Sequence, residues 1–571
     1  MTDFAGFQVD PWMLREHGID LKALPQTESL FALSNGHIGF RGNLDEGEPH
    51  GLPGTYLNGL YATRPLPYAE RAYGYPEAGQ SAVNGPNGKL IRLLVEDEQL
   101  DLRYGDLIEH SRELDFREGV LRRRLEWRSP NGHLVRVTST RLVSLSQRAV
   151  AAVRYEVEPL EGSMRVVVQS ELVVNEAMPD AGEHDPRVAA AIKAPLICEH
   201  ATGGGTRAAL VHRTPSTGQL VAAAMDHVLE GPESSRLDLM CEDDLARLTV
   251  IADLEPGKPL RIDKMLAYGY SSTRSTPAMR DQVDAALAAS MHVGFDGLAE
   301  SQREVLDSFW ARADVEIEGD SELQQGVRFA LFHVLQAGAR GARDMIPAKG
   351  LTGSGYDGHA FWDTEVYVLP VLTYVHPEGT AAALRWRHKT LPIAKERAAQ
   401  LGLRGAAFPW RTIHGEECSG YWPAGTAAFH VNAGIAHATI RYIAASGDEA
   451  FARAEGLDLL VETARLWRSL GHHDAEGNFR IDGVTGPDEY SAVADNNVYT
   501  NLMAELNLRE AANAVKKYAE EAAALGVDLE EAAGWRDAAA SMMIPYNETL
   551  GVHEQAAVSY THLTLPTTPY V

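Results

Sequence analysis

The stretch Thr276–Ala313, TPAMRDQVDAALAASMHVGFDGLAESQREVLDSFWARA, marks the point where the pattern of the chain changes. It is Ala-rich. Val283, Ala286, Leu287 and Met291, then Leu298, Val305 and Phe309, fall at spacings of three, four and seven, the repeat of one helix face. The spacing predicts a helix. On its N-terminal side, over residues 81–263, the apolar residues come in short β-branched runs instead, as in Leu134-Val135-Arg136-Val137-Thr138, 149–157 and 164–174. Turn formers bound these runs: Pro130-Asn131-Gly132, Pro159-Leu160-Glu161-Gly162 and Gly203-Gly204-Gly205. Such strands at short spacing predict an antiparallel β-sandwich. On the C-terminal side, residues 323–336, 380–401, 424–446, 449–470, 501–517 and 529–543 read as amphipathic helices joined by Gly/Pro-bearing loops. Helical hairpins packed into an α/α barrel would bury those faces and leave the joining loops at one rim, where sites tend to lie. The chain thus reads as multidomain β + α: an N-terminal β-sandwich over 1–270, a helical linker over 271–315, and an all-α domain from 316 onward.

The length agrees with that division, since 571 residues exceed the roughly 250 to 300 at which single cores stop growing. With 45% hydrophobic and 23% charged residues, the composition is that of a globular protein. The net charge of −27 repels phosphate backbones and anionic lipid, which argues against nucleic-acid and membrane-surface roles and leaves neutral sugars open as substrates. Cys198, Cys241 and Cys418 are too few for a disulfide framework and form no C-x-x-C pair. The opening MTDFAGFQVD has acids where a signal peptide needs bases, and no run approaches the roughly 18 apolar residues of a membrane span, so a cytoplasmic location is expected. No period of 20 to 50 residues marks a repeat protein.

Three segments of the helical half depart from amphipathic patterning. The first is GLTGSGYDGHAFWDTE, 350–365. Its glycines let the backbone approach a ligand. Trp362 beside Asp363 sets a flat apolar face next to an acceptor, which suits a pyranose with its C–H face and hydroxyls. The plain alternative is a Gly-rich turn with Asp363 as N-cap and Trp362 in the core. The second is FPWRTIHGEECSGYWP, 408–423, where Trp410, Arg411 and Glu417 would form one wall of a polar cleft, or else a surface loop pinned by ion pairs. Cys418 reads as a small buried residue and not as a nucleophile. The third is VTGPDEY, 484–490, followed by Asp495-Asn496-Asn497 and Tyr499-Thr500-Asn501. Gly486-Pro487 breaks any helix and sets Glu489 on a rigid turn, where a carboxylic acid against aromatic surface would have a raised pKa and could protonate a leaving glycosidic oxygen. The alternative is that Asp488 or Glu489 caps the next helix. Inversion needs an attacker on the far face: water with a carboxylate base, or phosphate, which is already nucleophilic and needs only donors to hold it. No Ser-His-Asp, Walker or HExxH pattern and no metal-ligand motif points to other chemistry.

Taken together, GLTGSGYDGHAFWDTE, PWRTIHGEECSGYWPAGTAAFHVNA and VTGPDEY with DNNVYTN resemble glycoside hydrolase family 65, the maltose, trehalose and kojibiose phosphorylases. The amino-terminal TESLFALSNGHIGFRGN and Leu52-Pro53-Gly54-Thr55-Tyr56 are similar to the opening of its β-sandwich, so the resemblance spans about 10–555. It implies a β-sandwich, a helical linker and an (α/α)6 catalytic barrel, with no cofactor and with inorganic phosphate as co-substrate. It also implies inverting cleavage of an α-linked glucose disaccharide to β-glucose 1-phosphate and free sugar, in a homodimer. Glu489 matches the family's proton donor, Trp362 with Asp363 its glucose-binding pair, and the Trp410–Arg411 wall with Glu417 would border the acceptor sugar. That wall looks more like the trehalose phosphorylases, which puts trehalose first, then maltose or kojibiose. An acid-trehalase-like hydrolase of the same architecture and an inactive carbohydrate-binding fragment are the alternatives.

The departure lies at the end. Family members carry a Lys-Gln pair and a His-Ser-Ser turn that grip phosphate, and neither motif occurs in this sequence; His110-Ser111-Arg112 lies in the β half. After Gln555 comes AAVSYTHLTLPTTPYV, without an Asp, Glu, Lys or Arg and without helical periodicity, which reads like a translated cloning scar. The expectation is a barrel cut short over 316–555, a non-native tail over 556–571, and a phosphate site in the part that is missing.

Overall fold

The computed structural model describes residues 6–52, 54–66, 74–176, 196–338, 345–420, 423–488 and 493–557. The chain forms two compact units. The first holds residues 1–62, 81–340 and 349–358; the second holds 63–80, 341–348 and 359–571.

The first unit is built on antiparallel sheets, as the β-branched runs predict. Among the described residues a ten-stranded sheet contains, in spatial order, Phe7–Asp10, Met13–His17, Asp106–Asp115, Val120–Arg128, Leu134–Val143, Val150–Pro159, Leu260–Ser271, Leu220–Glu230, Arg207–Arg213 and Ile197–Gly204. A five-stranded sheet contains Arg236–Cys241, Leu245–Leu254, Met164–Val173, Ile91–Val95 and Glu98–Gln99. Strand Leu245–Leu254 alternates buried and half-exposed residues, the period of two expected where one face meets a core. Polar ties join the two sheets: Lys264 Nζ donates to the Glu171 carbonyl at 2.6 Å, and Ser170 Oγ and His227 Nε2 lie 2.8 Å apart.

The helix Thr276–Ala313 forms over the range its spacing predicts, with Ser275 as its N-cap. It is no free linker. Met279, Val283, Leu287, Phe295 and Leu298 pack against Leu142, Ala152, Val211, Ala222 and Met265 of the ten-stranded sheet, all buried in one core. Gly294, at φ 73°, breaks the helical path, and Val305 is left only half-buried while Leu306 and Phe309 turn inward. The helix therefore belongs to the first unit, whose boundaries differ from the division at 270 and 315 read from the sequence.

The second unit is helical. Leu457–Leu470, Val498–Lys517 and Leu529–Ala540 pack around Trp467, Phe479, Leu508 and Trp535 in one buried core. The helix read over 380–401 is two, Pro377–Lys389 and Leu391–Gln400, because Pro392 has no N–H to continue the first ladder. The helix read over 424–446 starts at His430 after a 3-10 turn, Pro423–Ala427, and the one read over 449–470 contains a π-helical turn at Ala452–Gly456. Among the described residues no helix is long and apolar enough to cross a membrane.

Candidate functional site

The first two motif segments are a strand pair. Ala360 pairs with Thr412 and Phe361 with Arg411 in an antiparallel ladder, which brings Trp362 beside Trp410. Their ring centroids are 6.4 Å apart, and both rings are buried. His430 stands edge-on to Trp362 at 4.6 Å, and Tyr499 meets the same indole at 6.0 Å. Four rings from four separate stretches of the chain thus make one aromatic wall.

Trp362 lies in a buried core and Asp363 stands at the N-cap position, as the plain reading had them, but the Asp363 side chain does no capping. It precedes a π-helical turn, Thr364–Val368, and makes no side-chain capping bond. The residue is exposed, yet partial burial pushes its pKa up, with its own backbone N–H pulling it partly back. The next acid, Glu365, is spent on structure. It forms a buried bidentate pair with Arg387, Nε to Oε1 at 2.6 Å and Nη2 to Oε2 at 2.9 Å, and Arg387 Nη1 has no partner among the described residues. The pair holds the base of the Trp362–Asp363 step. Sequence reading quoted Glu365 without assigning it a role, because nothing local announces a partner at position 387.

The second segment is a wall with an internal frame. Glu417 is buried and accepts from Trp410 N at 2.6 Å, Cys418 N at 2.8 Å, Ser419 N at 2.9 Å and Ser419 Oγ at 2.6 Å. Its carboxylate is thereby the hub of the loop. Arg411 is buried; its Nε donates to His359 Nδ1 at 2.6 Å, so His359 carries its proton on Nε2 and donates that to the Gln80 carbonyl at 2.6 Å. Burial and the Arg411 charge hold His359 well below its ordinary pKa. Gln80, which sequence reading passed over, accepts from Ile413 N at 2.8 Å and His414 N at 3.0 Å and donates to Glu416 Oε2 at 2.7 Å. Cys418 is buried and its thiol is pushed up by desolvation, the behaviour of a packing residue.

The third segment is described up to Asp488 and again from Val493; Glu489 lies outside the described residues. Thr485 N donates to the Ala427 carbonyl at 3.0 Å, and the Thr485 carbonyl accepts from His430 Nδ1 at 3.0 Å. Gly486 presses on the amide of Asn497, where an added Cβ would come within 2.3 Å of Nδ2. Asn497 caps the helix Val498–Lys517 through Thr500 N at 3.1 Å. Gln555 Nε2 donates to Asp488 Oδ2 at 2.7 Å. Asn496 takes no part in the wall; its amide donates to Asp482 Oδ1 at 2.8 Å. His430 is fully buried, its pKa lowered to about 4 by desolvation, and its Nε2 has no partner among the described residues. An orphaned buried acceptor costs about 1 to 3 kcal/mol. The residue lies within the quoted AAFHVNA run, but its isolated position between Phe429 and Val431 gave no signal of its own. Among the described residues no group of three or more His, Cys, Asp or Glu side chains is set to hold a metal.

Residues 14–309 match the family model described as "Glycosyl hydrolase family 65, N-terminal domain", and residues 328–568 match "Glycosyl hydrolase family 65 central catalytic domain". The chain belongs to glycosyl hydrolase family 65. An uncharacterized glycosyl hydrolase of Mycobacterium tuberculosis is 59% identical over 549 residues, which cover 96% of this chain and 70% of that protein. The alpha,alpha-trehalose phosphorylase of Thermoanaerobacter brockii is 36% identical over 564 residues, covering 96% of this chain and 73% of that one. A solved structure from the human microbiome, provisionally named a kojibiose phosphorylase, superposes with a TM-score of 0.88 at 26% identity over 97% of this chain and 73% of its own. The β-sandwich followed by a helical catalytic domain is thus the family 65 fold, and the aromatic wall built from Trp362, Trp410, His430 and Tyr499 lies within the stretch matched to the family's catalytic domain.

Proposed function

We propose that this family 65 protein cleaves an α-linked glucose disaccharide with inorganic phosphate, trehalose first and maltose or kojibiose next. The Trp362–Asp363 step carries the proposal. In this reading one glucose ring packs on the aromatic wall around the buried Trp362 indole, and Asp363, exposed beside it with its pKa raised by partial burial, accepts from the hydroxyls. Glu489, one residue past the Thr485–Asp488 turn, gives its proton to the departing glycosidic oxygen. A phosphate oxygen attacks C1 from the opposite face, so the C1–O bond to the leaving sugar breaks as the C1–O bond to phosphate forms. The products are β-glucose 1-phosphate and glucose, with inversion and without a cofactor. Trp410, Arg411 and Glu417 shape the acceptor side, the last through the loop that it ties. Likeness to a trehalose phosphorylase supports the choice of sugar. The reading places the enzyme in the cytoplasm, as a homodimer.

Incubation of the full-length protein with trehalose, maltose, kojibiose and nigerose, with and without phosphate, tests it. Expected is phosphate-dependent release of glucose with β-glucose 1-phosphate from one of them. Equal glucose release with and without phosphate would replace phosphorolysis by hydrolysis. Sugar binding without cleavage of any of the four would make the protein a carbohydrate-binding one.

A further inference from the structure

We propose that His430 is a positioning residue, whose ring ties the Thr485–Asp488 turn to the Trp362 wall. The inference rests on the function proposed above, in which that turn leads into the acid and that wall holds the sugar.

His430 opens the helix His430–Ser446, and its Nδ1 faces the Thr485 carbonyl at 3.0 Å. A carbonyl can only accept, so the proton sits on Nδ1. The N–H of the same Thr485 is bound to the Ala427 carbonyl, three residues before His430. Both backbone groups that precede Gly486-Pro487 are therefore fixed to the start of one helix. The same ring packs against Trp362 at 4.6 Å, Trp410 at 5.7 Å and Tyr499 at 6.3 Å, so it cannot turn without disturbing the wall. One turn further along, an added Cβ on Gly434 would lie 3.5 Å from the Trp362 ring, so helix and indole are in close contact. A leucine or phenylalanine would fill this site without leaving Nε2 buried and unpartnered. Keeping a costly imidazole where an apolar side chain would pack points to function and not to stability.

Two variants separate these roles. His430→Asn keeps a donor near the place of Nδ1; His430→Leu removes it. Each is assayed with phosphate on the disaccharide the parent cleaves and on α-glucosyl fluoride, whose fluoride leaves with little need of a proton. His430→Leu is expected to lose about 100-fold in kcat on the disaccharide with KM little changed, and to stay within about threefold on the fluoride. Its thermal midpoint changes little, because the unpartnered Nε2 is removed while the buried Thr485 carbonyl loses its donor; the alkaline limb of its kcat/KM profile shifts, whereas His430→Asn recovers to within about tenfold and restores the limb. Unchanged kcat in the leucine variant, or equal losses on both substrates with an unmoved limb, would overturn the proposal. Glu489→Gln on the same two substrates tests the reading beneath it. If that variant keeps its disaccharide turnover, or the parent cleaves no disaccharide, the acid assignment falls and this inference with it. If it loses turnover on the disaccharide alone while His430→Leu does not discriminate, only the positioning role falls.

Discussion

Asp363 and Glu417 are both carboxylates of the site, and their surroundings put them to opposite uses. Asp363 is exposed, unengaged as a cap and pushed toward protonation; Glu417 is buried under four donors from its own loop. Asp363→Asn is therefore expected to leave the unfolding free energy within about 0.5 kcal/mol and to lower kcat/KM by tenfold or more, roughly. Glu417→Gln turns one acceptor oxygen into a donor facing other donors and is expected to cost about 1 to 3 kcal/mol of stability. Denaturant melts and initial rates on both variants check this; the reverse ranking would refute it. For Glu489→Gln, turnover is expected to fall about 10²- to 10⁴-fold with sugar affinity retained, read by kinetics and calorimetric titration. At this scale the sequence exposed Trp362, Asp363 and Trp410, because aromatic and acidic residues in Gly-rich, non-periodic runs stand out. It could not expose Gln80, Arg387 or His430, whose importance comes from partners 22 or more positions away: Arg387 reaches Glu365, His430 reaches Thr485, and Gln80 reaches Ile413.

Helices and strands were legible wherever the period was local. Thr276–Ala313 appears over its expected range because its apolar repeat is continuous, and its break at Gly294 follows from backbone that only glycine adopts freely. Gly294→Ala gives a sign test. Helix propensity alone would have alanine stabilise by about 1 kcal/mol, yet at φ 73° it is expected to destabilise by about 1 to 2 kcal/mol, measurable as a lower urea midpoint. A raised midpoint would mean that the helix straightens at little cost. Strand order was not legible. Leu260–Ser271 lies between Val150–Pro159 and Leu220–Glu230, a pairing of distant segments that no local pattern encodes. The helix boundary at Pro392 was readable in principle, since proline cannot donate to the preceding turn.

On the scale of the whole molecule, a net charge of −27 says nothing of the charges sealed inside the β unit. Asp45 is buried between Arg141 and Arg123, which hold its carboxyl below the ordinary range against the opposing effect of burial. Lys264 is fully buried with, among the described residues, only carbonyl acceptors, the Leu90 and Glu171 oxygens, and burial pulls its pKa from 10.5 to about 7. Lys89, bound to the Gly54 carbonyl and Thr55 Oγ1, is likewise pulled to about 7. The unfolded chain keeps these amines protonated to about pH 10, so between pH 7 and 10 it binds more protons than the folded one. Stability contributed by these sites is lowest below pH 7 and rises with pH through that window. Lys264→Met is expected to flatten the rise between pH 7 and 9 by up to roughly 1.4 kcal/mol per pH unit, read from denaturant melts of both proteins. Parallel profiles would show that the amine stays charged inside the fold.

The π-helical turn at Thr364–Val368 holds one residue more than regular helix would need. Deleting a single codon there would let the ladder heal, and by helical geometry would swing the preceding indole and carboxylate by about 100° away from their neighbours. A lineage that lost that codon would gain a tidier scaffold and take Trp362 and Asp363 out of the aromatic wall in the same step.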